Sequence, residues 1–221
     1  TKNMPDPRNA SDRFLGQPNT IILSEDQSDL ISAIRNQTSF DIIKMIVERV
    51  GDLNFGSDDT NPLLCLCSTH HIEKSRILEL FIKNGADLNV KNNNGRTALI
   101  ILCSTYSYAT LSLLLSHEGV DTTIGNYVVG DQDMCNIIAL YNDGKKISPN
   151  LGAVINHIKK GHSYNGFMIL LKNSNLSDDE LYLVFKCNMR SSQQYLGYIV
   201  NYMNQKGIKL SDFKDDILKN L

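Results

Sequence analysis

The chain has 221 residues, of which 42% are hydrophobic and 21% are charged, so its composition is that of a globular protein with a substantial core. Its 22 basic and 24 acidic side chains give a formal net charge of −2, which argues against nucleic acid as the main partner, because phosphate-binding proteins carry a basic excess. The longest apolar run, residues 98–103, is far shorter than the roughly twenty residues that span a bilayer, so we expect no membrane insertion.

The first twenty residues differ from the rest of the chain. Residues 1–20 hold three of the five prolines and few apolar groups. This composition predicts an extended or flexible N-terminal arm. The arm contains no apolar segment of the kind that forms a signal peptide, so none is expected.

A repeat of about 34 residues follows the arm. Each copy contains an apolar triplet, a polar tip, a glycine and an aspartate, and these landmarks recur at steps of 33 to 35 residues. The triplets begin at Met45, Leu80 and Leu113, and the aspartates are Asp52, Asp87 and Asp121. Apolar residues are so dense that one isolated helix pair could not bury them, so each pair requires neighbours.

Two stretches of the second and third copies identify the family that the repeat resembles. Residues 84–89 (Asn-Gly-Ala-Asp-Leu-Asn) followed by 94–99 (Asn-Gly-Arg-Thr-Ala-Leu) resemble the ankyrin repeat, and Asn61-Pro62-Leu63 resembles its Thr-Pro-Leu-His motif with two residues replaced. The resemblance implies a β-turn and two antiparallel helices per repeat. The predicted fold is therefore all-α: an ankyrin-type helical solenoid of about five to six stacked helix-turn-helix repeats, with divergent C-terminal repeats.

The repeat pattern loosens beyond residue 126. Helical spacing predicts further helices at 134–140, 151–160, 178–186, 193–204 and 211–221. Asn165-Gly166 resembles the Asn94-Gly95 turn and predicts the start of another repeat, although the phase is open by one helix. We therefore predict one ankyrin-repeat domain over 21–221, with regular repeats over 21–126 and divergent repeats and a C-terminal cap over 127–221.

One cluster, Cys65-x-Cys67-x-x-His70-His71, contains the residue types that bind zinc. On a helix, however, Cys65 and Cys67 project about 200° apart and would not converge on one ion. The chain has five cysteines, an odd number in apolar surroundings, which predicts reduced and buried thiols in the cytoplasm or another reducing compartment. No metal site is predicted.

A second group of residues lies near the end of a predicted helix. Cys187 with His157 or His162 could form a nucleophile and base, but no protease or transferase signature surrounds this cysteine. His157, Lys159, Lys160 and His162 form a basic patch, which the helix dipole alone explains, while contact with an acidic partner stays open. We predict no catalytic residue and no cofactor.

The function follows from the resemblance. In ankyrin proteins the turn tips and the first helices line a concave face that binds partners. The partner-binding residues predicted on this basis are Ser57, Asp58, Asp59, Asn92, Asn93 and Tyr127. The sequence therefore predicts a monomeric, non-enzymatic protein–protein interaction module.

Two further interpretations concern the origin and the second half of the chain. Abundant Asn, Ile and Lys are typical of AT-rich genomes. That composition fits a pathogen protein aimed at a host factor, in which case the protein would act in the host cell. The alternative function is an effector or enzyme fragment in which residues 127–221 form a separate catalytic domain.

Overall fold

A computed structural model describes residues 22–123, 129–191 and 193–212, and within these ranges the chain forms eleven α-helices and no strand. The predicted all-α class is confirmed, whereas the predicted arm at residues 1–20 lies outside the described residues. The helices are α1 (Glu25–Arg35), α2 (Phe40–Val50), α3 (Pro62–Ser68), α4 (Lys74–Lys83), α5 (Ala98–Ser104), α6 (Tyr108–Leu115), α7 (Gln132–Asn142), α8 (Leu151–Lys160), α9 (Tyr164–Asn173), α10 (Asp178–Arg190) and α11 (Leu196–Gln205). Short 3-10 turns lie at Asp58–Thr60 and Leu210–Asp212.

Helix boundaries follow local chemistry. The Thr97 side chain accepts a hydrogen bond from the Ile100 N–H at 3.4 Å and so caps α5. Ser177 and Glu180 form a reciprocal capping box at the start of α10. Helix α8 covers the predicted residues and ends before Gly161, whose φ of +64° is readily adopted only by glycine.

The first six helices form two layers. Helices α1, α3 and α5 pack side by side, and α2, α4 and α6 form a second row behind them. In the second row, residues about one repeat apart in sequence contact each other. The Ser75 and Thr110 hydroxyl oxygens are 3.2 Å apart, and the Phe40 N–H donates to Glu73 Oε2 at 3.0 Å. Successive helix pairs therefore stack in parallel, as a solenoid requires.

One continuous apolar core runs through the helices from Leu30 to Ile208. All residues of 62–67 in α3 and 98–103 in α5 are buried. Because these two helices are apolar on every face, they depend on the neighbouring pairs for burial. In the part of the chain that the structure describes, no helix has the length and apolar character needed to cross a bilayer.

The direction of stacking changes after α6. The Tyr108 hydroxyl at the start of α6 donates to Asp131 Oδ2 at 2.7 Å, immediately before α7. Beyond the end of α6, the His117 carbonyl accepts a hydrogen bond from the Tyr141 hydroxyl, near the end of α7, at 3.3 Å. Helix α7 thus runs parallel to α6, whereas the first helix of a further regular repeat would run antiparallel to it.

Helix α8 returns antiparallel to α6 and lies very close to it. The Gly152 N–H donates to Ser112 Oγ at 2.9 Å. A Cβ atom on Gly152 would lie 1.8 Å from the Tyr108 carbonyl oxygen, so only glycine permits this approach. At the other end of α8, Lys159 reaches back to Asp131 at 2.8 Å.

The predicted turn at Asn165-Gly166 is wrong. Both residues lie inside α9, which begins at Tyr164. A Cβ on Gly166 would be 3.2 Å from the His157 ring, so the glycine lets α9 pack close to the end of α8. The resemblance to Asn94-Gly95 was local, and the packing of two helices determines the conformation here.

Candidate functional site

The candidate site lies on the connections between successive helix pairs, which we call fingers. The first finger comprises residues 51–61, the second 84–97 and the third 116–131, of which 124–128 are not described. Helices α3 and α5 expose only Ser68 and Ser104, at their last positions. On the side of the stack that α3 and α5 form, polar groups are therefore supplied mainly by the fingers and by the loops within each pair.

Local hydrogen bonds shape the first finger. The Asn54 N–H donates to Asp52 Oδ1 at 2.9 Å, which forms a tight turn at the start of the finger. At its tip, the Ser57 N–H donates to Thr60 Oγ1 at 3.0 Å, and the Thr60 hydroxyl donates back to the Ser57 carbonyl at 2.7 Å. The backbone that presents Ser57 is thus fixed from within the finger.

The second finger ends in a turn built around one asparagine. Asn92 Oδ1 accepts hydrogen bonds from the N–H groups of Asn94 and Arg96, at 3.1 and 2.8 Å. The Asn92 N–H donates to the Arg96 carbonyl at 3.0 Å, and Gly95 has a φ of +71°. The predicted turn chemistry of this segment is confirmed, and it leaves Asn93 exposed at the tip.

The tips of the first two fingers are joined. Both Asp58 carboxylate oxygens accept hydrogen bonds from Asn93, one from its N–H at 2.7 Å and one from its side-chain amide. Asp59 pairs with Arg35 of α1 at 2.7 Å, although its side chain remains 76% exposed. Three successive helix pairs are thus linked through polar groups at one edge of the stack.

A second set of bonds joins the bases of the fingers, and sequence reasoning missed it. Asn54 donates to the Gly85 carbonyl at 3.0 Å and accepts from the Asp87 N–H at 2.7 Å. One repeat later, Asn89 makes the same two bonds, to Gly119 at 2.8 Å and from Asp121 at 2.7 Å. The recurrence of Asn two residues after Asp52 and after Asp87 was the signal that could have revealed these bridges.

The bridges stop at the third finger. Thr123 occupies the position that Asn54 and Asn89 hold in the first two fingers, two residues after the aspartate. The Thr123 N–H still donates to Asp121 Oδ1 at 2.8 Å. Hydrogen bonds from the Thr123 side chain and backbone lower the pKa of Asp121. The local turn is therefore kept, but the amide that would reach a fourth finger is replaced.

The structure distributes the predicted contact residues as follows. It brings Asp58 and Asn93 into direct contact and holds Ser57 and Asn92 in the turns beside them. Asp59 stands next to this group but bonds to α1. Tyr127 lies outside the described residues. Contact of these residues with a partner stays a prediction.

Three of the cysteine and histidine side chains considered above, His71, Cys67 and Cys187, are engaged in hydrogen bonding or in packing of the core. His71 uses both ring nitrogens: Nε2 donates to the Thr38 carbonyl at 3.0 Å, and Nδ1 accepts from the Glu73 N–H at 3.1 Å. Burial raises the pKa of Cys67 and of Cys187 to about 12, so both remain neutral thiols near pH 7. Within the described ranges, no three His, Cys, Asp or Glu side chains are arranged to hold a metal ion.

Comparison with known proteins identifies the regular repeats. Residues 30–126 match the family model for ankyrin repeats in three copies. The search of curated proteins and the search of solved structures each return no match. The matched segment begins within α1 and extends past α6 into the third finger. Residues 30–126 therefore correspond to ankyrin repeats, and the all-helical fold of the described residues is consistent with an ankyrin helical solenoid.

Proposed function

We propose that the chain is a non-enzymatic protein-interaction module whose partner binds the concave face along the tips of the first two fingers. Ankyrin repeats generally act as protein–protein interaction modules, which supports this class of function. The observation that carries the proposal is the pair of hydrogen bonds between Asp58 and Asn93. These bonds join two fingers into one polar surface.

A surface that is ordered before binding loses little conformational entropy when a partner docks. The turns around Ser57 and Asn92 and the bridges from Asn54 and Asn89 hold the fingers in place without a partner. The rigid backbone therefore favours recognition through the side chains at the tips.

The exposed groups of the tips favour a partner rich in hydrogen-bond donors. Asp58 and Asp59 each present carboxylate oxygens, and only Asp59 has a basic side chain bonded to it within the described residues. Lys, Arg or backbone N–H groups of a partner would find acceptors here. Such contacts would also align the partner along the row of fingers.

Two observations favour binding over catalysis. The raised pKa values of Cys67, Cys103 and Cys187 leave these thiols without nucleophilic thiolate near pH 7. The close contact between α6 and α8 and the continuous core support one structural unit rather than a repeat array with a separate catalytic domain at 127–221.

The test begins with capture of the partner by the full chain and its identification by mass spectrometry. Affinity is then measured with the purified partner for the wild type and for the double variant Asp58→Asn, Asp59→Asn. We expect binding to weaken at least about tenfold, because two acceptor charges are removed. Unfolding in urea should change by less than about 1 kcal/mol, because the bonds lost are exposed.

The matched control is Asp143→Asn, Asp178→Asn, which removes two exposed carboxylates, one just after α7 and one at the start of α10. It should bind the partner like the wild type. If the finger variant also kept its affinity, the tips of the first two fingers would not be the binding surface.

A further inference from the structure

A groove of about 1000 Å³ lies at the opposite ends of the helices from the fingers. It is bordered by the loops within the second and third helix pairs, residues 69–73 and 105–107, by the starts of α4 and α6, and by the end of α8. We call it the loop groove. Fingers connect successive pairs, whereas these loops connect the two helices of one pair, so the groove is separate from the first two fingers. Asp131, the last residue of the third finger, also lines it.

Two large apolar side chains stand exposed on the loop groove. Ile72 is 91% exposed and Tyr106 is 60% exposed. They lie 34 residues apart, in the corresponding loops of neighbouring repeats, and both line the groove. Adjacent exposed apolar residues in a concave surface are typical of a binding site.

Tyr106 also has an unfavourable backbone conformation. Its φ is +52°, in the left-handed region that bulky residues avoid. Five other helices end in a glycine with positive φ, namely Gly51, Gly85, Gly144, Gly161 and Gly207, whereas the smaller polar residues Gln37, Asn175 and Gln193 occupy this region after three more. An aromatic side chain at such a position costs folding stability, so its presence on a groove points to a role in binding.

The carboxylates on the loop groove are already engaged. Glu73 accepts a hydrogen bond from the Phe40 N–H at 3.0 Å and pairs with Arg76 at 3.0 Å. Asp131 pairs with Lys159 at 2.8 Å. Arg76 and Lys159 are therefore neutralised, and these acids cannot balance the other cations of the lining.

Lys74 and Lys160 supply the remaining positive charge. Lys74 is 7% exposed, its Nζ donates to the Cys67 carbonyl at 3.0 Å, and burial lowers its pKa. No carboxylate of the described residues forms an ion pair with either lysine. The N-termini of α4 and α6, which lack side-chain caps, add partial positive charge at the same place. A chain with a net charge of −2 thus has a cationic groove.

We propose that the loop groove binds an acidic segment of a partner protein. An aromatic or aliphatic side chain of that segment packs between Ile72 and Tyr106, and its carboxylates lie near the exposed Lys160 and above the buried Lys74. The excess positive charge of the groove favours an acidic segment. The two exposed apolar residues favour an aromatic or aliphatic side chain within it. The assignment does not depend on the fingers.

The test uses a phage-displayed library of random dodecapeptides and the full chain. Selected peptides are expected to carry Asp or Glu around a Leu, Phe or Tyr, and to bind more weakly as salt concentration rises. Tyr106→Gly should reduce their affinity at least about tenfold. The same substitution should leave the urea midpoint unchanged or raise it, because glycine favours this backbone conformation.

Gln37→Gly is the matched control, because Gln37 has the same left-handed conformation (φ +54°) in the first repeat and does not line the groove. It should bind the peptides like the wild type, as should Asp58→Asn, Asp59→Asn, while Lys160→Glu should bind them less. Failure to enrich acidic peptides, equal binding of them by Tyr106→Gly and Gln37→Gly, or loss of their binding only in the finger variant would each overturn the proposal.

Discussion

At the scale of single residues, Gly152 shows how tightly the two halves of the chain are packed. Its Cα faces the Tyr108 carbonyl and the Ser112 hydroxyl of α6, and an added Cβ would lie 2.7 Å from Ser112 Oγ as well as 1.8 Å from the carbonyl oxygen. Glycine normally weakens a helix because it is conformationally free. Here the close approach of α6 and α8 requires it.

Gly152→Ala should therefore be strongly destabilising. The new methyl group would force α8 away from α6, and we expect a loss of at least about 3 kcal/mol in the free energy of unfolding in urea. Gly197→Ala is the control, because Gly197 lies in α11 with no atom within 4 Å of the new Cβ. That variant should gain up to about 1 kcal/mol from helix propensity. Equal midpoints for the two variants would contradict the packing described.

At the scale of structural elements, the fingers depend on asparagine bridges. Each bridge uses both ends of one side-chain amide, which donates to a carbonyl and accepts from an N–H of the next finger. Geometry of this kind requires an amide, because a carboxylate could not donate and a hydroxyl is too short. The spacing of the repeats is thus fixed at the finger bases as well as in the core.

Asn89→Ala should lower the free energy of unfolding by about 1–2 kcal/mol, because two backbone groups lose their partner. The measurement is again equilibrium unfolding in urea. Asn201→Ala, on the exposed face of α11, provides the comparison and should change it by no more than about 0.5 kcal/mol. If both variants had the same free energy of unfolding, the bridges would not contribute to stability.

The helices of this chain could be predicted from sequence better than their arrangement. Apolar spacing located α7, α8 and α10, because this signal is local. The direction of α7 was not predictable, since it depends on tertiary bonds such as that from Tyr141 to the His117 carbonyl. The pairing of Asp58 with Asn93 was likewise invisible, because residues 35 positions apart become neighbours only after the repeats stack.

At the scale of the whole molecule, a buried aspartate joins three C-terminal helices. Asp133 of α7 is 3% exposed, pairs with Lys159 of α8 at 2.8 Å and contacts Arg190 of α10. Asp131, beside it, pairs with the same lysine. Two acids and two bases thus balance each other within the C-terminal half.

Asp133→Asn should cost about 2–3 kcal/mol of unfolding free energy, because it leaves Arg190 and part of the Lys159 charge uncompensated in a partly buried place. Asp179→Asn is the comparison, since its pair with Lys145 is 2.8 Å long but exposed. That change should cost less than about 1 kcal/mol. A similar loss in both variants would argue against a linking role for Asp133.

The asparagine bridges also determine where the stack can grow. Each bridge extends from a side chain to the main chain of the unit that follows, so any unit ending in Asn can be succeeded by another. A duplicate of residues 55–89 inserted behind Asn89 would find a matching acceptor and donor at both junctions. A duplicate placed behind Thr123 would meet a hydroxyl instead of an amide. Lengthening by internal duplication therefore preserves the bridges, whereas addition after the third finger would lack one.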